Sequence, residues 1–129
     1  MKKDFDTWNK KKKNLHYHKR RAFFKPREVW FAHLGANIGF EQDGSGKEQL
    51  RPVVILKKFN NEICWVVPLT RTEKMGEYYM PVSFQEDSES RVILSQLRLL
   101  DTKRLKYHAG YLKEDDFEEL KKRLRDLLS

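Results

Sequence analysis

Two residues stand where an apolar run meets a polar segment, and their chemistry suits an anion. Arg51 directly precedes Pro52 and the aliphatic run Val53-Val54-Ile55-Leu56. A residue before proline is biased toward extended backbone, and proline suits the first residue of a strand better than its middle. The run is short and β-branched, which predicts a strand from Arg51 to Lys58 buried on both faces. Upstream lies the polar segment from Gln42 to Glu48, so a permanent cation sits at the junction of loop and core strand. The second residue is Thr70, which with Arg71 and Thr72 follows the run Ile63 to Leu69. Hydroxyls and a guanidinium at a strand end make a rim able to hold a phosphate.

The elements that must position these groups follow from periodicity. Glu28 to Leu34 reads as a first core strand, Tyr78 to Phe84 as a fourth, and Arg91 to Leu94 as a fifth. Pro81 argues for an edge position. Gly35 to Gly46 is a long loop with four glycines, and long loops in compact domains are usually functional or mobile. Asn60-Asn61 and the acidic stretch from Gln85 to Glu89 read as turns. Asp101 is a natural N-cap for a short helix through Leu105. Phe117, Leu120, Leu124 and Leu127 recur at helical spacing, with acids leading and bases trailing, which predicts a closing helix from about Glu114 to Leu128. Short strands in series with one terminal amphipathic helix suggest a small, curled, mostly antiparallel sheet or barrel.

The formal charge of +8 is unevenly spread. Residues 1–27 hold 11 Lys and Arg against Asp4 and Asp6, whereas the rest holds 16 against 17 acids. The chain therefore divides into a basic arm, residues 1–27, and a near-neutral domain, residues 28–129. Such an arm attracts polyanions, nucleic acid above all, through counterion release; a solvated basic tail is the plainer alternative. Phe5, Trp8 and Leu15 are compatible with one face of a helix capped by Asp4 or Asp6. His16 and His18 do not share a helical face, so no metal pair is expected there. Cys64 is the only cysteine, which rules out an internal disulfide and reads as a small buried hydrophobe. No apolar run reaches membrane-spanning length and no signal-peptide core is present, so a cytoplasmic protein without membrane contact is expected.

Glu41-Gln42, Arg51-Pro52-Val53-Val54-Ile55, Val67-Pro68-Leu69-Thr70 and the stretch Gln96-Leu97-Arg98-Leu99-Leu100-Asp101-Thr102-Lys103-Arg104-Leu105 resemble, in order and spacing, the MazF/PemK toxin family. The resemblance covers roughly residues 28–128. It implies an SH3-like barrel, usually dimeric, within a mostly β fold. It also implies a type II toxin: an endoribonuclease that cuts single-stranded RNA and is neutralised by a cognate antitoxin protein. Carried over by position, Arg51 and Thr70 match the family's catalytic arginine and threonine. Glu41 and Gln42 match the pair in the loop that shapes the substrate channel, and Arg71 and Thr72 extend that binding rim. The eight residues between Gln42 and Arg51 make a longer loop than in compact members, and the basic arm has no counterpart there.

The chemistry so implied needs no metal or other cofactor, because the ribose 2′-OH is an internal nucleophile. The protein must align it with the leaving 5′-oxygen and stabilise the charge of the phosphorane. Arg51 suits that charge and Thr70 a second hydrogen bond, giving 2′,3′-cyclic phosphate and 5′-hydroxyl ends. A histidine pair would be the ordinary acid–base device, and His33 and His108 are the core candidates. Taken singly, Arg51 reads as a surface ion-pair residue and Thr70 as a strand-end hydroxyl. Glu41 alone reads as a salt-bridge partner, and Arg98 with Asp101 as a structural pair. The competing functions are a non-catalytic nucleic-acid-binding module and a toxin of the gyrase-poisoning kind.

Overall fold

A computed structural model describes residues 2–17, 21–46, 49–72, 75–85 and 88–129; His18, Lys47, Glu48, Glu86 and Asp87, which enter the expectations above, lie outside them. The sheet is organised around β2 (Leu50–Lys58), which pairs antiparallel with β1 (Glu28–His33) on one side and β3 (Ile63–Thr70) on the other. Val53, Val54 and Ile55 are fully buried, and alternation sends them to two different cores. Val53 and Ile55 join Trp30, Ala32, Cys64 and Val66, whereas Val54 joins Val29, Val67 and Leu69. The strand is therefore covered on both faces, as its β-branched run predicts.

The remaining strands are β4 (Tyr79–Gln85), β5 (Ser88–Ile93), β6 (Arg98–Asp101) and β7 (Leu105–Tyr111). Their order is β4-β5-β3-β2-β1-β7, with β6 pairing the first half of β3. Pro81 lies on β4, one of the two strands that end the sheet, where a missing N–H is tolerated. The sheet curls until its two ends meet: a Cβ on Gly110 of β7 would stand 2.8 Å from the Phe84 carbonyl of β4. Among the described residues no ladder joins those strands, so the result is a small, incompletely closed barrel.

Two expectations need correction. Asp101 does cap a turn, accepting the Lys103 N–H at 2.9 Å, but that turn is one 3-10 turn, Thr102–Arg104. Leu105 already begins β7, a strand that pairs with β1 and that local pattern did not reveal. The closing helix α2 (Glu114–Leu127) buries Phe117, Leu120 and Leu124 against the Val54 core, while Leu127 at its end is exposed. Each such burial stabilises by about 1.5–3 kcal/mol.

The basic arm is built onto the domain. Its helix α1 (Phe5–Tyr17) is capped by Asp4, whose Oδ1 accepts the Thr7 N–H at 2.9 Å. Trp8 is 4% exposed, but Phe5 is exposed and Leu15 only half-buried, so the apolar face is narrower than expected. Phe24 is fully buried in the Val53 core, and its carbonyl accepts from Lys58 Nζ at 3.1 Å. Arg21 Nη1 donates to Asp101 at 2.6 Å and to the Glu62 carbonyl at 3.1 Å. Asp101 thus pairs with the arm rather than with Arg98. No described helix is long and apolar enough to cross a membrane.

Candidate active site

Pairing of β2 with β3 matches Val53 to Pro68. The ladder ends there, with Arg51 two residues before Val53 on β2 and Thr70 two residues after Pro68 on β3, so both lie at the same end of the paired strands. The side chain of Arg51 confirms the approach: its Nη1 donates to the Leu69 carbonyl at 3.3 Å. Its Nε donates to the Asp43 carbonyl at 2.8 Å. One contact rests on a rigid strand and the other on the long loop, so the fork bridges both. A guanidinium carries five N–H donors, and contacts to the described residues engage two of them.

Thr70 is 8% exposed, and its Oγ1 accepts the Thr72 N–H at 3.2 Å. That contact uses an oxygen lone pair and leaves the hydroxyl proton to be donated. Gln42 joins the pair, because its Nε2 reaches the same Asp43 carbonyl at 3.1 Å that Arg51 uses. Thr72 takes part through its backbone and is exposed, as is Arg71 beyond the strand end. Glu41 does not join them. Its carboxylate turns back to accept the Ile38 N–H at 3.0 Å, and its charge is felt by Arg98.

Burial strips water from Arg51 and pulls its pKa below the usual arginine value, against the opposing effect of Asp43. Arg98 is lowered likewise by burial, with Glu41 opposing. Arg104 is lowered by burial and then by the like charge of Arg98, with Asp101 opposing. Partly desolvated cations gain from a neighbouring anion. His33 and His108 do not form a dyad. His108 faces Trp30 across the β1–β7 ladder and lies 3.6 Å from Glu28, whereas His33 is three residues on, about 10 Å at a strand's rise. Among the described residues no group of three or more His, Cys, Asp or Glu is placed to hold a metal ion.

Three neighbours escaped the sequence reading. Asp43 carries the Arg51 contact on its carbonyl, and a backbone acceptor has no residue signature. Gln96 brackets the loop, its Oε1 accepting the Gln42 N–H and its Nε2 donating to the Phe40 carbonyl, each at 3.3 Å. Arg91 of β5 stands opposite Thr70 on the other side. It opens an apolar run just as Arg51 does, and that signal could have found it.

A family model described as PemK-like, MazF-like toxin of type II toxin-antitoxin system matches residues 25–128. Among solved structures, MazF from Deinococcus radiodurans superposes with a TM-score of 0.69 at 18% identity, covering 83% of this chain and 97% of that one. A MazF toxin of Mycobacterium tuberculosis gives 0.61 at 19% identity, covering 79% and 96%. An endoribonuclease in complex with its cognate antitoxin, from a mycobacterial species, gives 0.62 at 13% identity, covering 82% and 95%.

Proposed function

Since the chain belongs to the PemK-like, MazF-like toxins of type II toxin–antitoxin systems, we propose that it is an endoribonuclease acting on single-stranded RNA. The observation that carries this reading is the Arg51 fork, held by the Asp43 carbonyl and by the carbonyl of Leu69, the residue before Thr70. In the reaction the ribose 2′-oxygen loses its proton and attacks phosphorus in line with the 5′-oxygen. The P–O5′ bond breaks and the 5′-oxygen takes up a proton, leaving 2′,3′-cyclic phosphate and 5′-hydroxyl ends. Arg51 binds the non-bridging oxygens and Thr70 donates a further hydrogen bond, so charge accumulating on the phosphorane meets preorganised donors. Arg51 acts by charge rather than as the base, because a guanidinium keeps its proton in proteins. Gln42, Arg71 and Thr72 line the path of the RNA strand, and Glu41, turned back onto the Ile38 N–H, meets that strand only from the loop beside them. The step uses no metal.

The partners in this reading are RNA, a cognate antitoxin and a second copy of the chain, in the cytoplasm. A structural neighbour is itself described with its cognate antitoxin. Trp65 and Leu99, opposed across β3 and β6 and 40% and 53% exposed, offer an apolar surface for contact between copies.

Purified protein incubated with mixed single-stranded RNA and no added metal is expected to give discrete fragments with cyclic-phosphate ends. Arg51→Ala and Thr70→Ala should each lower the cleavage rate by about 10²–10³-fold, the usual effect of removing one transition-state donor. Intact RNA, 3′-hydroxyl ends, or equal cutting by Arg51→Ala would defeat the proposal. RNA binding without cuts would favour a non-catalytic module.

A further inference from the structure

The family match begins at residue 25, yet residues ahead of it are fastened to the loop that holds Arg51. Lys3 is the fastening. Its side chain is 7% exposed, and its Nζ donates to the carbonyls of Asn37 and Gly39 and to Asp43 Oδ1, the last two at 3.0 and 2.9 Å. An ammonium has three N–H donors, and here each finds an acceptor on one loop. The same Asp43 oxygen accepts the Asn37 N–H at 2.7 Å, which folds the loop onto itself. The Asp43 carbonyl then receives Arg51 Nε and Gln42 Nε2. Trp8 seals the arrangement from outside, packed on Gly35, whose carbonyl accepts the Gly44 N–H at 2.8 Å. Arg104 lies over the indole at 5.5 Å.

We propose that Lys3 is a positioning residue for Arg51, acting through Asp43, so that the N-terminal segment belongs to the nuclease site of this chain. The inference rests on the nuclease reading above. Its logic is geometric. One arm of the Arg51 fork hangs on the Leu69 carbonyl of β3 and cannot wander. The other hangs on Asp43, whose place is set by the Lys3 ammonium. Without that cation, two inward-turned carbonyls and one carboxylate oxygen lose a common donor, the loop shifts, and the fork rotates about its remaining anchor. RNA would still meet the other cations, so binding changes little while the reacting phosphate is held off line.

The test uses the whole 129-residue chain tagged only at the C-terminus, so that no added residues crowd Lys3. Lys3→Met keeps the stem and removes the charge. A displacement near 1 Å at a reacting group costs on the order of 10²-fold, so kcat on single-stranded RNA should fall roughly 10- to 100-fold with KM within about twofold. The amides of Asn37 and Gly44 should exchange faster with deuterium, while those of Val53 to Ile55 hold. Asp43→Asn, which keeps the side-chain shape, should give the same split, and adding Lys3→Met to it should cost less than about another twofold, because linked residues are not additive. It also serves if Lys3→Met does not fold.

Wild-type kcat in Lys3→Met, unchanged exchange at Asn37 and Gly44, or multiplying effects in the double variant would overturn the proposal. If the unsubstituted protein leaves RNA intact, the nuclease reading fails instead. The exchange measurement then decides by itself whether Lys3 holds the loop.

Discussion

Gly35 and Gly39 share a loop and a left-handed backbone, with φ of 71° and 56°. They differ in surroundings. A Cβ on Gly35 would lie 1.9 Å from Trp8 Cε2 and 2.1 Å from Cδ2, whereas one on Gly39 meets nothing within 4 Å. Alanine in the left-handed region costs about 1–2 kcal/mol. A stiffer unfolded chain offsets about 0.4–1 kcal/mol of that. Both Gly→Ala variants should therefore lose about 1 kcal/mol from backbone alone. Gly35→Ala must also displace the indole, an overpacking cost of about 1–3 kcal/mol. The ceiling is the loss of the Trp8 seat altogether, about 3–5 kcal/mol by analogy with core Trp→Ala changes. Urea unfolding measures the difference. With a slope of about 1–3 kcal/mol per M, the extra term lowers the midpoint of Gly35→Ala by about 1 M relative to Gly39→Ala. In a Trp8→Ala background that gap should close, because the Cβ then has room. Equal midpoints for the two variants, or a gap that persists without Trp8, would refute the docking of α1 on the loop.

Two further outcomes are expected. Burial pushes the Asp101 carboxyl up, but hydrogen bonds and charge from Arg21 and Lys103 outweigh it and hold its pKa below the ordinary value. A depressed folded pKa stabilises above the unfolded value of about 3.9 and is lost as pH falls through the folded one. Asp101→Asn should thus unfold at lower urea than wild type at pH 7, with the gap shrinking toward pH 3; a gap equal at both pH values would show the charge is irrelevant. The Cys64 thiol is pushed up to about 12 by burial first and by Asp101, against Lys58. At pH 8, four units lower, about one thiol in ten thousand would be ionised, so a thiol reagent should label the folded protein only after unfolding; rapid labelling in buffer would contradict the burial.

Much of this fold could be read along the chain because its signals are local. The β-branched run of Val53 to Ile55 marks a strand, the spacing of Phe117, Leu120 and Leu124 marks a helix, and Asp4 marks a cap. Each is stabilised by residues a few positions away or by the pattern it presents to solvent. Arg51 and Thr70 were legible too, as polar groups at strand ends and as matches to a family pattern. What stayed hidden depends on pairings across long separations. β7 has weak local character and exists because β1 offers it a ladder. Asp101 turns to Arg21, 80 residues away, rather than to its neighbour Arg98.

The arm shows the division most sharply. Composition marks residues 1–27 as basic, and the spacing of Phe5, Trp8 and Leu15 is compatible with one helical face. It does not say that Lys3 meets carbonyls 34 and 36 residues on, or that an indole fills the space left by Gly35. An ammonium can serve water, a phosphate or a carbonyl with equal chemical fitness, so its sequence context leaves the choice open. Only the folded chain brings a particular set of acceptors within reach and excludes the water that would otherwise compete.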